Sequence, residues 1–200
     1  MIQKKELRRQ LFHILFGLII VILIFFSILN KITFTLLLIA AVVICIVSRR
    51  RKIPGIYWFF KTFERDIETI HFPGKGALFF LIGSYIVLML FPKDIAMASI
   101  TILTFGDAIS HIVGCYGSMK NPLCRKKYLE GFIAGFITSF IFSYPILHNV
   151  LEAAIASFVG MVAESIEIGK QDRRVDDNLV MPLAAAVAIW VVRFIVGLVG

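Results

Sequence analysis

An aspartate stands where membrane-spanning sequence rarely keeps a charge. Asp107 lies inside the apolar stretch from Asp94 to Gly114. A carboxylate at the centre of a span costs roughly 2.5–3.5 kcal/mol on insertion scales, which makes such a residue a functional candidate by default. His111 follows four residues later on the same helix face, so the two side chains can form an ion pair or a hydrogen bond. The same carboxylate can act as a metal ligand or as a base. Gly106 and Gly114 flank it and would let a phosphate or a neighbouring helix come close, with Ser110 between them.

Further along, Lys126-Lys127-Tyr128-Leu129-Glu130-Gly131 places two lysines at a helix start, just after Gly114 and Gly117. A helix N-terminus with adjacent lysines is an anion site. The phosphate-loop pattern GxxxxGK[ST] is absent, so this anion site is not of that type. Glu164 is a second costly carboxylate. Asp176-Asp177-Asn178 read either as a solvated loop or as oxygen ligands for magnesium, which usually takes one or two carboxylates plus substrate phosphates. Glu130, Glu164 and His111 are each able to take a hydroxyl proton, and the sequence does not rank them.

Long apolar elements must position these residues. The chain has 200 residues, 59% of them apolar and 17% charged, with a mean hydropathy of +0.89. A soluble domain would carry about 25% charged residues. Seven runs long enough to cross a bilayer are predicted: Leu11–Leu29, Ile32–Ser48, Ala77–Phe91, Ile95–Val113, Leu129–Leu147, Val150–Ile168 and Leu179–Val199. The expected fold is all-α: a polytopic integral membrane helical bundle forming one membrane-embedded catalytic domain over residues 1–200. No removable signal peptide is expected. Cys45, Cys115 and Cys124 lack metal-site spacing and read as free thiols.

Charge sets the expected orientation. All of the 21 lysines and arginines except Lys31, Lys93 and Arg193 fall at the N-terminus or in the second, fourth and sixth connections. The positive-inside rule then puts the N-terminus and every long connection in the cytoplasm of a multi-pass cell-membrane protein. The net charge of +8 is accounted for by orientation and anionic headgroups, with no nucleic acid partner. Pro54–Thr69 mixes aromatics with charge and suits an amphipathic helix at the interface. Arg193 reads as a snorkelling side chain. His71, His148 and Glu152 read as structural.

This topology brings distant polar residues to one depth. His13, Asp107, His111, Glu130, Glu164 and Asp176–Asn178 all fall at the cytoplasmic ends of their helices, which suggests one pocket lined by several helices.

In this order the residues resemble the CTP-dependent lipid kinases, a family that includes dolichol kinase, phytol kinase and the fungal CTP-dependent diacylglycerol kinase. That family is itself similar to phosphatidate cytidylyltransferases. The matching pieces are Glu6-Leu7-Arg8-Arg9 with His13 and Gly17; Phe72-Pro73-Gly74-Lys75-Gly76; Gly106-Asp107-Ala108 with Ser110, Gly114 and Gly117; Lys126-Lys127 with Glu130-Gly131; Glu164; and Asp176-Asp177-Asn178 with Pro182-Leu183. Tyr128 and Leu129 depart from the hydroxyl residue often found before the Glu-Gly pair, and Lys170–Arg174 looks inserted. The resemblance implies phosphoryl transfer from CTP, with Mg2+, to a membrane lipid alcohol such as a polyprenol, a phytol-like isoprenoid or diacylglycerol. It implies nucleotide binding by Gly106, Ser110, Gly114, Gly117, Lys126, Lys127 and Gly131. Catalysis would fall to Asp107, Glu130, Glu164 and His111, and metal binding to Asp107, Asp176, Asp177 and Asn178. CDP-lipid synthesis by a cytidylyltransferase is the first alternative. A small ion-coupled transporter is the second, although its polar path across the bilayer fits poorly with charges gathered at one level. Nothing in the sequence specifies an oligomeric state.

Overall fold

The computed structural model describes residues 3–51, 53–64, 72–166 and 176–199, with backbone alone at 125, 126, 198 and 199. Among these residues the helices are α1 (Lys4–Phe25), α2 (Lys31–Arg50), α3 (Pro54–Phe63), α4 (Lys75–Leu90), α5 (Lys93–Gly114), α6 (Leu129–Leu147), α7 (Val150–Ser165) and α8 (Asp177–Val199). Two short strands, β1 (Lys120–Asn121) and β2 (Cys124–Tyr128), form an antiparallel hairpin between α5 and α6. His71 and Lys170–Arg174 lie outside the described residues.

Each predicted apolar run overlaps a helix, with 167–168 at the end of the sixth run outside the described residues. Five of these helices, α1, α2, α5, α6 and α8, are long and apolar enough to cross a membrane. α4 and α7 have 16 residues each, about 24 Å at 1.5 Å per residue. The first helix starts earlier than its apolar run because Glu6 and Arg9 pair one turn apart, at 2.6 Å, and extend it through polar sequence. It stops at Phe25 because Ser27 takes a left-handed conformation with φ 58°. Asn30 then starts α2 with a capping box: its side chain accepts from the Ile32 and Thr33 amides while Thr33 returns a bond to the Asn30 amide.

α5 is the axis of the bundle. Every residue from Ile95 to Ala108 is buried, as expected of a helix covered on all sides. α1, α4, α6, α7 and α8 pack around it, while α2 packs on α4 and α3 on α1. Small residues permit these approaches, as is usual between membrane helices. A Cβ on Gly106 would collide with Met181 of α8 and Ser139 of α6 and would crowd Met161 of α7. A Cβ on Gly131 would run into the Ser110 carbonyl and Gly114.

The bundle end remote from Asp107 is tied by charge. Lys93 donates to the Phe25 carbonyl at 2.8 Å and Lys31 to the Met89 carbonyl at 3.2 Å, so each lysine serves the C-terminal end of a neighbouring helix. The snorkelling expectation for Arg193 is corrected. Its guanidinium lies 2.7 Å from Asp94 of α5 and 2.9 Å from Glu152 of α7. Both acids sit within reach, so an inward ion pair replaces solvation at the headgroups. Glu152 is accordingly a structural residue.

Candidate functional site

The polar ends of α1, α4, α5, α7 and α8 surround a cavity of about 330 Å3. Asp107, only 5% exposed, points into it from α5. Its Oδ1 is 3.2 Å from Nδ1 of His111, and its Oδ2 is 3.8 Å from Nε2 of His13 on α1. The His111 Nδ1 is also 2.9 Å from the Asp107 carbonyl, one turn back. If that nitrogen carries the proton, the bond to the carbonyl uses it and leaves Nε2 as the acceptor. Among the described residues, Asp107 Oδ1, His13 Nε2 and Asn178 Oδ1 are buried without a hydrogen-bond partner. Buried polar atoms are normally hydrogen-bonded; here Asp107 Oδ1 and His13 Nε2 have only their ion-pair contacts, and Asn178 Oδ1 faces the same cavity.

Glu164, at the end of α7, is 4% exposed and fully engaged. Lys127 donates to its Oε1 at 2.6 Å and to its backbone carbonyl, and Ser110 donates to Oε1 at 3.2 Å. Lys127 also lies 3.9 Å from Asp177 Oδ2. Burial opposes the lysine's charge, but Glu164 and then Asp177 outweigh it, and its pKa rises above the ordinary lysine value. Asp107, His111 and Glu164 form a group whose donor atoms lie within 4.8 Å of one another.

Asp176 begins α8 as an N-cap. Its Oδ1 accepts from the Asn178 amide at 3.2 Å and from Asn178 Nδ2 at 2.8 Å, and its Oδ2 is 3.8 Å from Lys75. Burial first, and the neighbouring Asp177 second, push its pKa above the usual carboxylate value. Lys75 reaches this position because Gly74, at φ 84°, turns the chain into α4. The Gly74 amide donates to Glu64 at 2.9 Å.

A second cavity, of about 280 Å3, lies on the hairpin side, against Ser110, Gly114, Asn121 and Tyr128. The two cavities share His111, Lys127 and Glu164. The hairpin itself is tightly held. Asn121 Oδ1 accepts from the Leu123 amide at 2.9 Å, and its Nδ2 donates to Ser165 of α7 at 3.1 Å. Glu130 accepts from the Ser118 amide and hydroxyl at 2.8 and 2.9 Å, and from the Met119 amide at 3.0 Å.

The residues singled out by sequence therefore divide into groups. Asp107, His111, Glu164, Lys127, Asp176, Asp177 and Asn178 meet at the larger cavity. Ser110 and Gly114 line the smaller one. Glu130 lines neither, because its carboxylate pins the hairpin. Gly117 fits beneath Tyr128 and Glu130, while Gly106 and Gly131 serve helix packing. The side chain of Lys126 lies outside the described residues. Arg9, His13 and Lys75, which fall in the family-like segments but were assigned no catalytic, nucleotide or metal role, also line the larger cavity. His13 was marked by its depth as well; Arg9 and Lys75 carried no signal beyond those segments, because positive-inside residues look the same.

Fold and site together define an all-α membrane bundle with a charged, partly unsatisfied pocket at one end of its helices. The chain belongs to the same family as the uncharacterized protein MJ1137 of Methanocaldococcus jannaschii, with 32% identity over 194 residues that span 92% of this chain and 93% of that protein. It is also similar to CTP-dependent diacylglycerol kinase 1 of Schizosaccharomyces pombe, at 26% identity over 138 residues, 59% of this chain and 60% of the kinase. No family model matches the chain, and no solved structure matches it.

Proposed function

We propose that this protein is a CTP-dependent kinase of a membrane lipid alcohol. The observation that carries the reading is the buried Asp107 carboxylate, set between two imidazoles with no well-aligned hydrogen bond to Oδ1 and facing a cavity shared with Lys127. The kinase named above supports the choice of donor and reaction class.

In this reading the lipid hydroxyl oxygen attacks the γ-phosphorus of CTP. A new O–P bond forms, the bond from the γ-phosphorus to the β–γ bridging oxygen breaks, and CDP leaves with the electron pair. The hydroxyl proton passes to Asp107 Oδ1. Asp107 is the better base than Glu164, whose Oε1 already accepts from Lys127 and Ser110, and than Glu130, which is committed to the hairpin. Lys127 supplies positive charge to the transferring phosphoryl group, since such reactions depend chiefly on positioning and charge neutralisation.

The oxygen donors of Asp176, Asp177 and Asn178 suit magnesium, which takes oxygen ligands, and the unpartnered Asn178 Oδ1 fits that use. Asp107 suits magnesium less well because its neighbours are imidazole nitrogens. When bound, the ion would neutralise phosphate charge.

We place the charged end in the cytoplasm by the positive-inside rule. In this reading α4 and α7 also cross, giving seven spans; the two-residue links between α4 and α5 and between α6 and α7 support it. The deciding experiment supplies purified protein in bilayers with CTP labelled at the γ- or the α-phosphate. Label from the γ position should enter the lipid. Entry from the α position alone would establish cytidylyl transfer and overturn the kinase reading.

A further inference from the structure

We infer that the phenylalanine-lined side of the larger cavity is the site for the hydroxyl-proximal chain of the acceptor lipid, entered from the bilayer between α1 and α3. The inference rests on the kinase reading above and adds where the lipid binds.

The larger cavity has two unlike walls. The charged residues already described form one. Phe12 and Phe16 of α1, Phe59 and Phe63 of α3 and Phe80 of α4 form the other. The rings are continuous. Phe12 contacts Phe59 and Phe63 at centroid distances of 5.0 and 5.1 Å and Phe16 at 5.5 Å; Phe16 then meets Phe80 at 5.5 Å. Phe80 lies edge-on to His13 at 5.1 Å, and His13 Nε2 is 3.8 Å from Asp107 Oδ2. An apolar track thus runs from α3 to the proposed base. A chain lying on it would bring a terminal hydroxyl to the Asp107 carboxylate.

The track borders hydrocarbon. Leu11 and Leu15 stand one residue before Phe12 and Phe16, about 100° around the helix, and both are exposed on a helix long and apolar enough to span a membrane. Trp58, beside Phe59, is exposed as well. α3 follows Arg49-Arg50-Arg51 and packs on α1, as a helix lying at the membrane surface would. A lipid can therefore reach the track without crossing water. A nucleotide gains little from it, because five phenylalanines offer no hydrogen-bonding group to read a base edge. The smaller cavity, with Ser110, Asn121 and Tyr128 along the hairpin, suits the nucleotide better. The γ-phosphate would then reach past His111, Lys127 and Glu164, which line both cavities, to meet the hydroxyl in the larger one.

The test uses the full chain in nanodiscs with two photoreactive probes, a long-chain prenol and a diacylglycerol, each carrying a diazirine within a few carbons of its hydroxyl. Adducts mapped by peptide mass spectrometry should fall on segments holding Phe12, Phe16, Phe59 and Phe63, and the probe that labels them shows which alcohol the track accepts. Phe59→Ala and Phe63→Ala should raise the lipid KM about tenfold, the scale of a lost aromatic contact, with the CTP KM unchanged. Phe59→Leu should recover most of the loss and controls for folding. Adducts confined to Tyr128, Phe132 or elsewhere on the hairpin side, no specific adducts with either probe, or a raised CTP KM in the phenylalanine variants would overturn the inference. Adducts on the track in a protein that transfers no phosphate would uphold the lipid site and overturn the kinase reading instead.

Discussion

Lys127 extends from the β-hairpin and places its Nζ 2.6 Å from Oε1 of Glu164, the buried carboxylate at the end of α7. With the Asn121–Ser165 bond, this contact joins the only strands among the described residues to α7. It also forms part of the wall between the two cavities. In the proposed kinase reading, phosphate charge and protein stability would therefore depend on the same pair.

Replacing Lys127 with Met should remove turnover and leave Glu164 as an uncompensated buried charge. Breaking a buried pair from one side costs about 3–5 kcal/mol. Adding Glu164→Gln should restore most of the stability without restoring activity. Thermal melts in detergent and a lipid phosphorylation assay separate the two effects. Equal loss of stability in the single and double variants would refute the pairing argument.

Asp107→Asn preserves size and removes the proton acceptor. We expect kcat to fall by at least about 100-fold, the usual scale for losing a general base. CTP affinity should change little. Isothermal titration and steady-state kinetics on the same preparation check both, and unchanged turnover would remove Asp107 from the reaction.

Asp176 allows a prediction with a defined sign. Its folded pKa is raised by burial and by Asp177, so over the window from the ordinary carboxylate value to that raised value the folded state holds more protons than the unfolded chain. Stability then falls as pH rises through the window. Asparagine is also a good N-cap, so Asp176→Asn should melt above the wild type at neutral pH. The difference should vanish as the pH drops below the ordinary carboxylate range. The same variant should bind magnesium–nucleotide more weakly. A pH series of melting temperatures for the two proteins is sufficient to test the sign.

Arg193→Met tests the far end. Glu152 would remain buried without its cation, and the cost should be roughly 2–3 kcal/mol, below the fully buried case because the arginine is partly solvated. The KM values for both substrates should not move. A selective rise in either KM would mean that the clamp communicates with the pocket.

Much of the pocket was legible because charge is rare in spans. Asp107, Glu164 and His13 stood out from apolar surroundings, and alternating topology alone put them at one level. Arg193 was misread because its partners lie about 40 and 100 residues away, beyond any local pattern. The hairpin was invisible for another reason. Cys124–Tyr128 is short and basic, with no alternation of apolar residues, so it looked like an ordinary loop. Glu130 then seemed available for chemistry, when its carboxylate is used to hold Ser118 and Met119. The lipid-facing role argued for Phe12 and Phe16 was hidden within a run that any membrane span would contain.

The enclosure of α5 from Ile95 to Ala108 has a consequence for biogenesis. This helix carries Asp94, Asp107 and His111, yet α6, α7 and α8, which cover much of it, follow it in the chain. During synthesis α5 must be held, paired with α4 through the Phe91-Pro92 link, before most of its permanent neighbours exist. Chains stalled before α8 would leave part of α5 uncovered and Asp94 without Arg193, so the enclosure of α5 is complete only when α8 is in place.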